Sequence, residues 1–148
     1  MRKNRVTVIL LLIGSCCPVS PQSVVNTVHN LSVSGPGVVR ATSESEVCIF
    51  CHTPHNSKPK SPLWNRDDPG GPYILYGSST LDAAPGQPDG SSILCLSCHD
   101  GTIALGNVLS RTADIDMTAG IVRMPPGPAN LSTDLSDDHP VSFLYNSA

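Results

Sequence analysis

The sequence predicts a mostly irregular, loop-rich fold with short helices. Glycine and proline account for 26 of the 148 residues, and aromatic residues make up only 4%. Charged residues make up 14%, against about 25% in an ordinary soluble domain. A chain with so few bulky apolar groups buries little surface, so we expect disulfides, a metal or a large cofactor to hold it together.

The predicted elements are short. Val38–Ala41 is a candidate β-strand, and two candidate helices cover Glu44–His52, with Ser43 as N-cap, and Ser91–His99. Residues 56–92 contain eleven prolines or glycines and are predicted to form loops and turns. No window of the sequence sustains an amphipathic helical period over three turns.

Residues 1–15 are predicted to be an export signal. Basic side chains at positions 2, 3 and 5 precede the apolar stretch Val6–Ile13. That stretch is too short to span a bilayer as a helix, which takes about 20 residues. The tetrapeptide IGSC that ends at Cys16 is similar to a bacterial lipoprotein box, in which a lipidated Cys16 attaches the protein to a membrane. Ordinary cleavage near residues 20–23 is the alternative.

Without this signal the chain is acidic, with six basic and twelve acidic residues. No basic cluster is left, so nucleic acid is not an expected partner. No second apolar segment of spanning length occurs, so we do not expect the mature chain to cross a membrane. We expect residues 16–27 to be a linker and residues 28–148 to be the folded domain. The expected address is the periplasm, the outer-membrane surface or the extracellular space.

Two copies of the motif C-x-x-C-H form the only internal repeat of the sequence. This motif is the attachment site of c-type haem. Two thiols on one helical turn bond the two vinyl groups of the macrocycle, and the histidine that follows ligates the iron. We therefore expect two covalently attached haems. The residues that hold them are Cys48, Cys51 and His52 at the first motif, and Cys95, Cys98 and His99 at the second.

Three other uses of the four cysteines explain less of the pattern. A zinc site, as in a zinc-stapled structural domain, leaves both histidines as coincidences, and the separation of the cysteine pairs is long for a zinc ribbon. Disulfides within each close pair are strained, and cross-pairing again leaves the histidines unexplained. A thioredoxin-like redox pair needs a βαβ context that the sequence lacks.

The remaining histidines, His29, His55 and His139, are the candidate sixth ligands of the irons. Histidine outnumbers methionine in the mature chain, so we expect bis-histidine ligation, which gives a lower potential than methionine ligation. His55 follows His52 too closely to reach the opposite face of the same haem. We expect His55 to ligate the haem held by His99, and His29 or His139 to complete the other. This arrangement requires the two haems to lie close together, and electron hopping between haems has the same requirement.

Five phrases occur in the order HNLSVSGPGVV, EVCIFCHTPHN, SPLWNR, LCLSCHDGTIALGNV and DLSDDHPVSF. From about Val28 onward the chain resembles multihaem c-type cytochromes of metal-respiring and sulfur-cycling bacteria. It is especially similar to tetrahaem members related to extracellular cytochromes that polymerise into conductive filaments. The resemblance implies a multihaem cytochrome fold organised around stacked haems. In that family two further C-x-x-C-H motifs normally follow the HPVSF phrase, whereas this sequence ends at Ala148.

The motifs and the resemblance together predict an electron carrier rather than an enzyme. Two haems need only two distal histidines, so one of the three is left over. Three explanations are open: the sequence is a fragment of a four-haem chain, that histidine ligates a haem in a neighbouring subunit, or it binds no haem. His29, on a segment with few apolar anchors, is the candidate for reaching a neighbour. Expected partners are other redox proteins or cytochromes, and further copies of the chain in a filament. A periplasmic shuttle and the haem subunit of a redox enzyme are the alternative functions.

Overall fold

The computed structural model of the protein describes residues 23–55, 57, 61 and 63–143. The predicted export signal and the lipidation site at Cys16 therefore lie outside the described residues. The described part is loop-rich with short helices, as the composition predicts. It contains one α-helix, and no helix in it is long and apolar enough to cross a membrane. The helices are α1 (Gly90–His99) and three 3-10 helices, Val24–Asn26, Val47–Phe50 and Thr118–Gly120.

Helix α1 confirms the second predicted helix. It begins at Gly90, one residue before the predicted start, and ends at His99. Gly90 has a φ of +48°, a conformation that glycine adopts without the steric cost that a side chain imposes. The helix lacks a side-chain N-cap, since the Asp89 carboxylate makes no capping hydrogen bond.

The helix predicted over Glu44–His52 is wrong in its extent, because only the 3-10 turn Val47–Phe50 forms. The prediction of Ser43 as its N-cap is also wrong, since the N-cap is Glu46. The carboxylate of Glu44 accepts a hydrogen bond from the backbone N–H of Glu46, at 2.8 Å. This local bond stabilises a bend before the turn, so the helical conformation begins later than the sequence pattern indicates.

Strand pairing in the described residues is limited to isolated bridges. Two antiparallel bridges and one parallel bridge occur, and they join Ala41 to Met117, His52 to Trp64 and Ile74 to Asp134. The predicted strand Val38–Ala41 is therefore wrong, because only Ala41 pairs. Exposure alternates along the segment, since Val38 is 83% exposed whereas Val39 is half-buried and Ala41 is buried, but a single bridge does not make a strand.

Two small apolar clusters form the core of the described part. Helix α1 contributes to both, since Leu96 belongs to the smaller cluster and Cys98 packs against the larger. The polypeptide passes very close to itself beside the larger cluster, where a Cβ at Gly106 would collide with the carbonyl of Ile115. The larger cluster consists of Ala41, Ile49, Phe50, Leu105, Val108 and Met117, and the smaller of Tyr73, Leu96 and Leu135.

Three asparagine side chains, Asn30, Asn65 and Asn130, tie the loops together. Each amide oxygen accepts a hydrogen bond from one backbone N–H, and each amide nitrogen donates to a backbone carbonyl five or more residues away. The donor-to-acceptor distances to these carbonyls are 2.6 to 2.9 Å. The carbonyls belong to Val25, Ile49 and Met124. Side-chain amides thus satisfy backbone groups that a regular sheet would otherwise pair.

Candidate functional site

The first C-x-x-C-H motif lies on one tight turn. Cys48 is in the 3-10 helix Val47–Phe50, and Cys51 is the residue that ends it. The backbone N–H groups of Cys51 and His52 both donate to the carbonyl of Cys48, at 3.1 and 2.8 Å. Cys48 and His52 are exposed, whereas Cys51 is half-buried. The turn therefore presents one thiol and the imidazole to the surface and the other thiol to the interior.

The second motif forms the carboxyl-terminal end of α1. Cys95 is exposed, Cys98 is half-buried and His99 is the last helical residue. The Nδ1 atom of His99 lies 2.6 Å from the carbonyl oxygen of Ala129. A carbonyl oxygen only accepts, so Nδ1 carries the proton and donates it. The lone pair of Nε2 is then free to bind a metal. A metal-ligating histidine is characteristically oriented by such a backbone hydrogen bond.

The ring of His29 lies beside that of His99. Their centroids are 6.1 Å apart and the ring planes are inclined by 62°. Two imidazoles bound to opposite faces of one metal, with bonds of about 2.0–2.1 Å, have centroids roughly 6–6.5 Å apart. The separation of 6.1 Å is compatible with two imidazoles bound to one metal, and it also falls in the range of about 4.5–7 Å of an ordinary edge-to-face ring contact.

The backbone explains how a histidine seventy residues from His99 reaches this position. A turn bonds the N–H of Asn30 to the carbonyl of Thr27, at 3.0 Å. The next residue, Leu31, accepts a hydrogen bond from the N–H of Ala41, at 2.7 Å. These bonds fold the N-terminal segment across the larger cluster. The prediction that His55 serves the haem of His99 is untested, and this geometry favours His29 for that place.

An apolar cleft of about 190 Å³ lies between the two motifs. This volume is below the range of about 300–1,000 Å³ that is usual for ligand sites. Cys51 of the first motif lines it together with Cys98 and His99 of the second, and His29 lies on its wall. The other lining residues are Val28, Leu31, Gly37, Val38, Val39, Phe50, Leu105, Met124 and Ala129. The cleft is thus a mostly apolar space that both motifs share.

The pKa shifts of the two half-buried thiols, Cys51 and Cys98, are consistent with their positions in one cleft. Burial raises the pKa of the Cys51 thiol, and the neighbouring Cys98 thiol raises it further. Burial also raises the pKa of Cys98, and the nearby carboxylate of Asp100 acts in the same direction. The guanidinium of Arg66 opposes both shifts. One cation therefore acts on a cysteine of each motif.

Three consecutive residues, Trp64, Asn65 and Arg66, connect the motifs, and we call them the bridging segment. The ring of Trp64 meets that of His52 edge to face, with centroids 6.1 Å apart. The backbone N–H of Asn65 donates to the carbonyl of Cys51 at 3.0 Å, and its side chain reaches the first motif as well. Arg66 donates from Nη2 to the carbonyl of Ser97, within the second motif, at 3.3 Å.

Sequence reasoning assigned no role to the bridging segment. Asn65 and Arg66 are both 0% exposed, which is unusual for a charged side chain. The signal that points to them is the phrase SPLWNR, which carries part of the family resemblance although it contains no cysteine or histidine. A polar phrase of that kind, placed between two ligand motifs, indicates residues that position the ligands.

The other two distal candidates are exposed. His139 lines a second cleft together with Cys95 and His99, on the side of α1 that contacts Leu135. The backbone carbonyl of His55 accepts a hydrogen bond from the hydroxyl of Thr53, at 2.6 Å, which stabilises the turn after the first motif. The cleft beside Cys48 and His52 has no second histidine among its described lining residues. The structure thus places His29 and His139 beside the second motif and no second histidine among the described lining residues beside the first, so the distal ligand of the first motif stays a prediction.

A buried hydrogen bond supports the end of α1. The hydroxyl of Tyr73 donates to the carboxylate of Asp100, at 2.7 Å, and the N–H and hydroxyl of Thr102 donate to the same group. Burial raises the pKa of Tyr73, and its hydrogen bond to Asp100 adds to that rise. Asp100 directly follows His99, so this network fixes the backbone next to the candidate ligand.

The described cysteines, Cys48, Cys51, Cys95 and Cys98, are free thiols. Within residues 23–55, 57, 61 and 63–143, no three His, Cys, Asp or Glu side chains converge in a group that could hold a bare metal ion. The described donors lie instead on two cysteine–cysteine–histidine turns, each beside a mostly apolar cleft.

No protein-family model matches this chain, and no curated protein matches it. Its function is therefore argued from its residues and their geometry.

Proposed function

We propose that this protein is an electron carrier, not an enzyme, with two c-type haems covalently attached at its C-x-x-C-H motifs. The cofactor-binding residues are Cys48 and Cys51 for one haem and Cys95 and Cys98 for the other, with His52 and His99 as the first axial ligands. When bound, each haem supplies an iron that changes between the ferric and ferrous states by one electron. The protein supplies the attachment, the axial ligands and an apolar surrounding.

The observation that carries this proposal is the His29–His99 pair. His99 has its Nδ1 proton engaged with the carbonyl of Ala129, so its Nε2 atom is available to a metal. The His29 ring lies at a separation compatible with two axial ligands of one iron. A disulfide uses no imidazole, and a bare zinc ion needs further donors that do not converge with this pair in the described part of the chain. We therefore assign His29 and His99 as the two axial ligands of the second haem.

The shared cleft supports a closely spaced haem pair. Cys51 and Cys98 line the same cleft, so macrocycles attached through these two residues would lie near each other. Apolar side chains such as Phe50 and Leu105 line that space and would exclude water from the macrocycle faces. Stacked haems are part of this proposal, and His55 or His139 would supply the remaining ligand of the first haem.

The proposed working place is outside the cytoplasm, because the predicted export signal takes the chain to the periplasm, the outer-membrane surface or the extracellular space. Its partners would be other redox proteins or cytochromes, and no nucleic acid. Membrane attachment through a lipidated Cys16 and self-association into a filament belong to this proposal, and a periplasmic shuttle is its alternative. A redox-enzyme subunit would need an open iron position, which bis-histidine ligation of both haems removes.

Mass spectrometry of the mature protein tests the proposal. We expect two haem additions that survive denaturation, one on the peptide with Cys48 and one on the peptide with Cys95. Paired serine substitutions at Cys48 and Cys51 should remove one addition and leave the other, and the same change at Cys95 and Cys98 should do the reverse. His139→Ala is the matched control, because thioether attachment does not require that residue.

Free thiols or bound zinc at the four cysteines would contradict the proposal. An absorption spectrum separates the alternatives at the same time. A low-spin reduced haem spectrum supports an electron carrier with filled axial positions. A high-spin spectrum that responds to added small ligands would favour the haem subunit of a redox enzyme.

A further inference from the structure

Arg66 is a charged side chain that the protein encloses completely. Its exposed fraction is 0%. Nη1 donates to the carbonyl of Leu105 at 2.9 Å, and Nη2 donates to the carbonyls of Ala104 and Ser97, at 2.9 and 3.3 Å. Its Nε–H is buried and has no hydrogen-bond partner in the described part of the chain. The guanidinium is therefore fixed in one position by uncharged groups.

Neutral carbonyls orient a guanidinium but do not cancel its charge. A cation enclosed by protein also acts over a longer range than a surface cation, because little water screens it. The carboxylate of Asp100 acts on Cys98 with the opposite sign. Asp100 is held by Tyr73 and Thr102, so it does not neutralise Arg66 by direct contact.

The position of this charge relates it to both motifs. Arg66 bonds the carbonyl of Ser97, which lies between the two cysteines of the second motif. The preceding residue, Asn65, bonds the carbonyl of Cys51 in the first motif. The positive charge thus lies between two cysteine–histidine turns that share one cleft.

We propose that Arg66 is a shared redox-positioning charge, which raises the reduction potential of both haems and makes both respond to one residue. This inference rests on the proposed function, because it requires iron at both motifs. Each ferric iron takes up one electron from an external one-electron donor and becomes ferrous, with no bond formed or broken. The ferrous state carries one positive charge less, so a fixed cation nearby stabilises it relative to the ferric state.

The test is a redox titration of the dihaem protein with small-molecule one-electron mediators. We expect Arg66→Met to lower the reduction equilibrium constant of both haems about tenfold, a shift of about 59 mV for a one-electron couple. Arg66→Lys keeps the charge and should change either constant less than about threefold. Arg123→Met is the matched control, because it removes an exposed arginine that solvent screens, and should leave both constants nearly unchanged.

Unchanged potentials in Arg66→Met, with two haems and an unaltered low-spin spectrum, would overturn the inference, and so would a shift of one haem alone. If Arg66→Met does not accumulate, Arg66→Gln replaces it, since its amide still donates to a backbone carbonyl. Lack of covalent haem in the unsubstituted protein would defeat the proposed function itself, before this titration begins.

Discussion

The two C-x-x-C-H motifs carry the same ligands, yet the chain holds them differently. The second motif ends an α-helix, its His99 ring is fixed by the Ala129 carbonyl, and His29 lies beside it. The first motif occupies a single 3-10 turn, and its His52 ring is exposed and contacts Trp64. The same five-residue pattern therefore does not give the same degree of preorganisation of the cysteine and histidine side chains at the two motifs.

The difference comes from residues outside the pentapeptides. The carbonyl that orients His99 and the ring that faces it are supplied by segments distant in sequence, at 129 and 29. Such outer partners fix the orientation and the protonation of a metal-ligating imidazole. The second site is thus formed by the protein, whereas we expect the first to be completed when its haem is attached.

The largest expected effect follows from leaving out both haems. A variant with serine at all four motif cysteines should show no cooperative thermal transition by circular dichroism, because only nine apolar side chains are buried in the described part and the cofactors supply the rest of the core. Hydrogen exchange would sharpen the comparison. Persistent protection of α1 (Gly90–His99) alone would mean that the second region folds without its haem.

His29→Ala is expected to change the spectrum of one haem of the two. Removing the ring opposite His99 opens an axial position, so the haem at the second motif should lose its low-spin signature while the other keeps it. Electron paramagnetic resonance measures each population separately. Val33→Ala, at an exposed residue that lines neither motif's cleft, is the control. A change in His29→Ala that is confined to the haem held by His52 would break the comparison between the two motifs.

Asn65→Ala should destabilise the dihaem protein by about 2–3 kcal/mol, because it leaves buried backbone groups of two loops without partners. The lost hydrogen bonds join its amide to Ile49 and Ser110 at 2.6 to 2.9 Å. Denaturant unfolding followed at the haem bands measures the loss. Asn107→Ala, at a side chain that bonds only the exposed Asp114, is the control and should cost much less. Equal losses in the two variants would mean that Asn65 does not hold the first motif.

Tyr73→Phe should cost about 1 kcal/mol, because one buried hydrogen bond to Asp100 is removed while Thr102 still donates to the carboxylate. We expect this loss of stability to affect the second motif, because Asp100 directly follows His99. Chemical denaturation monitored by circular dichroism gives its size, with Tyr76→Phe as the matched control. No difference between the two tyrosine variants would mean that this bond adds nothing to the second site.

The smallest effect is expected at the surface of the first region. Glu44 pairs with Arg111 at 3.1 Å, but Arg111 is largely exposed, so Glu44→Gln should cost only about 0.5 kcal/mol. The Glu46 backbone N–H, together with Arg111, lowers the pKa of Glu44. Its contribution is therefore present above the pKa of an unfolded carboxyl and is lost as the pH falls through the lowered value. Unfolding at neutral pH and at low pH should show the variant and the parent protein converge in acid.

The sequence pattern predicts those features of the structure that depend on residues close together in the chain. The composition predicts the loop-rich fold, and the second pentapeptide predicts its helix to within one residue, since helix and thiol spacing depend on neighbouring residues. The pairing of His29 with His99 depends instead on how loops return across the core, which no local pattern encodes. The burial of Arg66 likewise depends on carbonyls contributed by residues near 97 and 105. Distal ligands and buried charges therefore have to be found in the folded structure.

The burial of Asn65 has a consequence for the chemical ageing of the protein. Its amide nitrogen donates to the carbonyl of Ile49 at 2.6 Å, and its amide oxygen accepts from the backbone N–H of Ser110. Deamidation would replace the donor with a charged acceptor, because an ionised carboxylate donates no hydrogen bond. Two lone-pair oxygens at that distance repel, and burying the carboxylate is costly even though the Ser110 N–H still donates to it. The long-term stability of the turn that carries Cys48 and Cys51 therefore depends on a single amide nitrogen.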